Sequence, residues 1–345
     1  MNADTTVTAR FDRFNRAFVT SNNFDSSNLA GAANRNAICV AHAADAGLVL
    51  PGSTWWGLVS DSSFSVLSAL NTEGSQGWLR LDGQVFARTT NDFIAVGGVQ
   101  APILFDERGA ISTRQLAWTG LAADGDAGLT CLDWTSFNSN DDGAIAAVGF
   151  YVDRWGWLLR SSCGLGPAMV CLEVGGHAAL PPRTRPAGSR LAFLSGTLVK
   201  GDVSDAVADA ICNSEAQSDG GFLALRGSPG QAPLQRLNLD GGPWVRADGF
   251  ELTMAPLSTL ATGAFTVPLN LQFDGGTNSI GAWTGASLGV AATLASTCKG
   301  WTAQFTDAGT TLTGVVGYPA QTWTAGFNAG GEDCASPHAL YCFER

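Results

Sequence analysis

Near its end the chain reads Cys334-Ala-Ser-Pro-His-Ala-Leu-Tyr-Cys342-Phe-Glu344, and an earlier stretch reads Cys163-Gly-Leu-Gly-Pro-Ala-Met-Val-Cys171-Leu-Glu173. Both have two cysteines eight apart, then an apolar residue and a glutamate. In both, apolar residues crowd toward the second cysteine, as in a buried closing strand. Followed backwards from each stretch, the same landmarks recur in the same order. The chain is therefore two copies of one unit.

Those landmarks can be followed forward. Arg16-Ala-Phe-Val-Thr-Ser21 reads as a short strand, with Arg190-Leu-Ala-Phe-Leu-Ser195 as its counterpart. Each leads into an alanine-rich stretch carrying the first cysteine of its unit. In Asn34–Ala46, Ala37, Ala41 and Ala44 fall four and three apart, as on one apolar helix face. Val207, Ala208, Ile211 and Cys212 keep that spacing in the second copy, with Ser204 or Asp205 as N-cap. The pattern W-x-R-x-D-G follows at Trp78–Gly83 and Trp244–Gly249, and its Asp-Gly marks a tight turn. Then come W-T-G at Trp118 and Trp283, and C-x-x-W at Cys131–Trp134 and Cys298–Trp301. Apolar strands are expected over Ala144–Tyr151 and Leu312–Tyr318, with Trp155 or Trp157, matched by Trp323, leading into the closing cysteine pairs. Corresponding cysteines stand about 170 residues apart, a tandem duplication and not an array of short repeats.

With 345 residues the chain can bury two cores of ordinary size. The expected division is a first domain over 1–179 with a polar leader at 1–14, a linker over 180–189, and a second domain over 190–345. Three prolines between Pro181 and Pro186 make the linker semi-rigid. Only 14% of residues are charged, while glycine supplies 43 and hydrophobic residues 45%. That balance suits a loop-rich α+β protein and excludes wholesale disorder. A net charge of −11 with 19 Lys and Arg argues against nucleic acid or other polyanions as partners. No apolar run reaches membrane-spanning length, so no membrane insertion is expected.

Eight cysteines in matching positions predict a disulfide framework and an oxidising, extracellular or cell-surface location. The first residues, Met1-Asn-Ala-Asp-Thr-Thr-Val, show neither the basic nor the apolar segment of a signal peptide. The expectation is either a leader removed before these residues or another route out of the cell. Within one unit, four cysteines allow three connectivities by spacing alone.

Taken together, the alanine-rich helix with its cysteine, Trp55-Trp-Gly-Leu-Val-Ser60, the D-G turn, W-x-G, C-x-x-W and the closing cysteine pair with its glutamate resemble the endostatin domain of certain collagens. They are similar also to modules repeated in exported bacterial proteins. The resemblance covers both units and implies two tandem C-type-lectin-like domains, disulfide-stapled and loop-rich. It implies nested pairing: Cys39–Cys171, Cys131–Cys163, Cys212–Cys342 and Cys298–Cys334. The family's binding residues do not carry over. The chain lacks the arginine-rich heparin face, the histidine cluster for zinc, and the calcium motifs, having Asp124-Gly-Asp126 before Cys131 and Ala292–Thr297 before Cys298.

Residues that could carry chemistry are few. His42, His177 and His338 accompany no nucleophile motif, and the recurring acids Asp82/Asp248 and Glu173/Glu344 fall at a turn and a strand end, where structural roles are expected. No enzyme is expected. The tryptophans shared between copies fit a core better than a sugar-stacking surface. Trp55 and Trp56 lack tryptophan counterparts, since Phe222–Leu225 occupies the matching stretch, and one of an adjacent pair on a strand should face outward as a ligand contact. Asn138, Asn140, Asp141 and Asp142 resemble the first half of a calcium loop, without the glutamate that completes one. The expected cofactor is none, or weakly bound calcium there. Asn and Asp also favour ordinary turns. The expected function is non-enzymatic recognition or adhesion, the partner a glycan or protein on a surface. The alternative is a structural subunit, with identical copies as partners in an extracellular assembly or phage-like particle.

Overall fold

The computed structural model describes residues 14–345 apart from 96–98, 100, 115, 149–154, 156–158, 177–179, 181–184, 219–220, 238–242, 253–266, 268, 277–280, 287–288, 303–312 and 315–332. It is a mixed α+β structure. The chain forms two compact units, the main division falling between Pro181 and Pro182.

In the first unit, strand β1 (Asn15–Val19) leads to helix α1 (Ala32–Asp45), β2 (Thr54–Gly57), helix α2 (Val66–Glu73), β3 (Trp78–Arg80) and β4 (Val85–Ala87). Then come β5 (Leu116–Trp118), β6 (Asp142–Ala147), β7 (Leu159–Ser162) and β8 (Ala168–Val174). The sheet runs β4-β3-β1-β8-β5-β6-β7, with β2 also pairing β8. β8 is its hub, antiparallel to β1 and β2 and parallel to β5. All seven of its residues are buried, as its continuous apolar run requires.

The second unit repeats this centre. β9 (Arg190–Leu194), a helix over Asp205–Glu215, β10 (Phe222–Ala224) and β11 (Trp244–Arg246) follow, then β12 (Ala282–Trp283), β13 (Thr313–Gly314) and β14 (Tyr341–Glu344). Its main sheet runs β10-β14-β9-β11, strand for strand the β2-β8-β1-β3 core of the first unit, and β12 and β13 pair separately. Registers agree: Phe18 faces Cys171, and Phe193 faces Cys342. Ala17 therefore corresponds to Ala192, and Arg16 to Leu191. The two arginines of the strand motifs are not equivalent.

Four disulfides hold the units, Cys39–Cys171 and Cys131–Cys163 in the first, Cys212–Cys342 and Cys298–Cys334 in the second. Each outer bridge ties a helix to the central strand, each inner bridge C-x-x-W to the start of the closing hook.

The C-x-x-W motif has an unusual backbone. Cys131, Leu132, Asp133 and Trp134 form one helical turn with φ of 50°, 51°, 53° and 64°, and Cys298–Trp301 repeat it with 47°, 57°, 74° and 62°. Left-handed turns of L-residues cost about 1–2 kcal/mol per residue. Here the turn is held at both ends, by the disulfide and by a buried indole. Thr130 and Thr297 cap it through their side-chain oxygens.

The same indoles explain W-T-G. Gly120 has φ 60° and Gly285 has φ 70°; a Cβ at Gly120 would stand 2.4 Å from the Ser60 carbonyl oxygen and 2.8 Å from Trp134 Cζ2. The glycine is the seat of the C-x-x-W tryptophan.

Two expectations about helices are corrected. Ala37, Ala41 and Ala44 are exposed on α1, and the buried stripe is Arg35, Cys39 and Ala43. The disulfide sets the helix rotation, and exposed alanines cost little while favouring the helix. In the second unit Ala208 and Cys212 are buried, Val207 is exposed, and Ser204 is the N-cap. The expected strands past Ala144 and Leu312 are described only as Asp142–Ala147 and Thr313–Gly314; Trp157, Trp323, His177 and most of the leader lie outside the described residues.

Candidate binding surface

The residues common to both units serve the fold. Trp78 Nε1 donates to the Glu173 carbonyl and Trp244 Nε1 to that of Glu344, both at 2.9 Å. Trp118 donates to Phe24 O (3.0 Å) and Trp283 to Val199 O (2.7 Å). Trp134 donates to Ser60 O (2.8 Å) and Trp301 to Gly227 O (2.9 Å). All six rings are buried. Each fills core volume and gives its N–H a backbone carbonyl partner. In W-x-R-x-D-G, Arg80 and Arg246 fork onto Asp82 and Asp248, closing the turn. These acids are structural, as expected.

Trp55 is likewise core, which corrects its reading as a ligand contact. It is fully buried, 4.9 Å from the Phe18 ring, and Phe222 packs on Phe193 in the same way. Trp55 faces inward because β2 must bury one face against α1. Its neighbour Trp56 is half-buried and faces a depression lined also by Phe64, Ser65, Ser68 and Thr72. Sequence alternation predicted that one ring would be outside, without saying which.

That depression belongs to a larger concave surface. A second hollow of about 370 Å³ lies between Ser65 with the Leu67–Thr72 part of α2, Asn91 and Ile94, and Asp124–Asp126. A third joins Asp61–Ser65 to Asp126–Gly128. The three share lining residues and make one open surface. Its floor is Leu67 and Ile94, against which Gly125 packs. Its rim is hydroxyls, amides and carboxylates; Ser68, Asn71, Thr72, Asn91, Asp124 and Asp126 are exposed.

Local bonds hold this rim. Ser65 caps α2, accepting from Ser68 N, and Ser60 Oγ accepts from Val66 N at 3.0 Å. Asp61 takes Arg35 Nη2 at 2.7 Å and the N–H and hydroxyl of Ser63 at 2.9 and 2.7 Å. Burial alone raises the Asp61 pKa, but Ser63 and Arg35 together hold it below the ordinary carboxylate value. Asp133, in the left-handed turn, accepts from Ser62 N and Oγ at 2.8 and 2.6 Å. In the second unit Gly300 stands at that place, and the single turn Pro233–Arg236 stands where α2 would be.

The four residues of the half calcium loop form a turn. Asn138 Oδ1 accepts from Asn140 N (3.0 Å), Asp141 Oδ2 accepts from Ser136 Oγ (2.5 Å), and Asp142 lies 3.5 Å from Arg160 Nη1. Asp141 and Asp142 thus turn to different partners. Among the described residues no group of three or more His, Cys, Asp or Glu is arranged to hold a metal.

One further polar cluster lies under α1. Glu107 accepts from Ser21 N (2.8 Å) and Ser21 Oγ (2.5 Å), and His42 Nδ1 lies 3.0 Å from its Oε1. Burial pushes the Glu107 pKa up, yet bonds from Ser21 and His42 hold it below its usual range. The carboxylate sits between serine and histidine, so the serine lacks the histidine base of a nucleophilic pair. This is a clasp.

The surface around α2 was not readable as a site, because three distant stretches build it. The signal present was the serine-rich run Asp61–Ser68, together with Asp124-Gly-Asp126, both confined to the first copy. Among the described residues no helix is long and apolar enough to cross a membrane. Compared with known families and curated proteins, the chain matches no family model and no curated sequence.

Proposed function

We propose that this chain is a non-enzymatic recognition protein made of two endostatin-like domains of the C-type-lectin-like class, working outside the cell, and that its first unit binds a glycan. The disulfides support an oxidising location. The recurrence of the same staples, indole bonds and left-handed turns in both units supports one duplicated fold. A single observation carries the binding reading. The half-buried Trp56 lines a hydroxyl- and amide-rimmed concave surface, which the second unit replaces with Leu223 and a short turn. An indole face with convergent hydroxyls and amides suits the alternating apolar and hydroxylated faces of a pyranose.

The test is a glycan array followed by calorimetry, with wild type, Trp56→Ala and, as control, Trp283→Phe in the second unit. Trp56→Ala should abolish or weaken binding at least tenfold without moving the melting temperature by more than a degree or two, since about 1.4 kcal/mol of lost contact is tenfold in affinity. Binding unchanged in Trp56→Ala, or no glycan bound at all, overturns the reading.

A further inference from the structure

The charge of this surface narrows its ligand. We infer, resting on the glycan reading above, that the saccharide bound by the first unit carries free amino groups and that anionic sugars are rejected. Neither Lys nor Arg lines any of the three hollows, whereas carboxylates line all of them. Asp126 is common to two hollows and is exposed. Asp124 beside it uses Oδ1 to accept the Asp126 N–H, which fixes the turn and sets both carboxylates at the rim. Asp61 is already neutralised by Arg35, so the charge that faces a ligand is that of Asp124 and Asp126.

The consequences follow from Coulomb's law. A sulfate or uronate brought within about 4 Å of Asp126 meets repulsion of about 1 kcal/mol or more. An ammonium at the same place gains a comparable amount, worth roughly fivefold in affinity for an exposed pair. A neutral N-acetylated sugar gains neither. The hydroxyls of Ser68 and Thr72 and the amides of Asn71 and Asn91 serve every saccharide alike, so discrimination rests on the two aspartates. The net charge of −11 acts in the same direction at longer range.

The experiment is calorimetry of the full chain with a β-1,4-linked glucosamine oligomer, its N-acetylated form, and a sulfated uronate-containing oligosaccharide, at low salt and about pH 5.5. The amino form should bind roughly fivefold tighter than the acetylated form, and the sulfated one roughly fivefold or more weaker than it. Asp126→Asn should close that gap, and added salt should close it too. Equal affinity of amino and acetylated forms in wild type, or a gap that survives Asp126→Asn, overturns the amine inference and leaves the glycan reading standing. Binding of none of the three, with an array also blank, overturns both. A lysine-rich peptide that binds Asp126-dependently while no sugar does would replace the saccharide with a protein partner and overturn the inference.

Discussion

The two units meet the same structural demands with different residues. The trailing glutamate of each closing hook captures the backbone N–H of the strand beside it, Glu173 from Arg16 N and Glu344 from Leu191 N. Its arginine comes from β1 itself in the first unit, but from Arg185, outside the strand, in the second. The turn after the first strand needs a carboxylate beneath it. Glu215, on the helix, supplies it to Gly196 and Thr197. At the matching helix position the first unit has His42, and Glu107 arrives from another loop to serve Ser21. The ion pair joining helix to strand exit is reversed: Arg35 reaches forward to Asp61, while Asp205 on the helix takes Arg226. The lesson is that position fixes the hydrogen-bond requirement, not the residue that fulfils it. What differs more deeply is the surface around α2, which has no counterpart among the described residues of the second unit and is therefore where function is sought.

The largest effect should come from breaking what the units share. Cys39→Ala/Cys171→Ala opens a link spanning 132 residues, worth about 5 kcal/mol by chain entropy. The inner pair Cys131–Cys163, spanning 32, should cost about 1 kcal/mol less. Scanning calorimetry should show the first unit's transition lowered while the second, with both bridges intact, serves as internal control. Equal movement of both transitions would end the treatment of the bridges as local to each unit.

This framework was legible early for a physical reason. Cysteines, Asp-Gly turns, and tryptophans seated on glycine leave few alternatives, so their order survives in sequence. The buried face of α1 was not legible, because alanine is indifferent to burial and the residue that decides the rotation, Cys39, carries no apolar periodicity. Arg35 was hidden for the opposite reason: a charged residue on the buried stripe contradicts the usual pattern, and only its pairing with Asp61 across 26 residues makes it tolerable. Trp55 and Trp56 were ambiguous until strand register chose between them. The concave surface needed tertiary structure altogether.

A second comparison concerns the reversed ion pairs. Asp61→Asn leaves Arg35 buried without its counter-charge and should cost about 3–5 kcal/mol. Asp205→Asn should cost less, about 1–2 kcal/mol, because the Asp205 side chain is 32% exposed and Arg226 also donates to Val203 O and stacks on Trp301. Urea titration of each variant checks the order. Both carboxylates titrate below their ordinary value: burial opposes this in each, and Ser63 with Arg35, or Arg226 with Ser228, overcomes it. Their contribution is thus complete above the unfolded carboxylate range, near pH 4, and is lost as pH falls through the lowered folded value. Asp61→Asn should flatten the acid limb of the first unit more than Asp205→Asn flattens the second. The reverse order would mean that burial does not set the weight of these pairs.

The smallest effect separates the two arginines that serve the trailing glutamates. Arg16 forks onto Glu173, Nε to Oε2 at 2.8 Å and Nη2 to Oε1 at 3.1 Å, with its guanidinium 5.4 Å from the Trp55 ring. Glu173 is fully buried and Arg16 only 25% exposed. Arg185 makes one contact to Glu344, at 2.8 Å, with the two side chains 41% and 32% exposed. Water screens the second pair and hardly the first. Arg16→Gln should therefore cost about 1–2 kcal/mol and Arg185→Gln under about 0.5 kcal/mol. Arg16→Lys tests the reason, since it keeps the charge but loses the fork, and should recover less than half of the difference. A double-mutant cycle with Glu173→Gln isolates the pair from the loss of packing on Trp55. Coupling of equal size in the two units, measured with Glu344→Gln in the second, would show that exposure does not set the strength of these clasps.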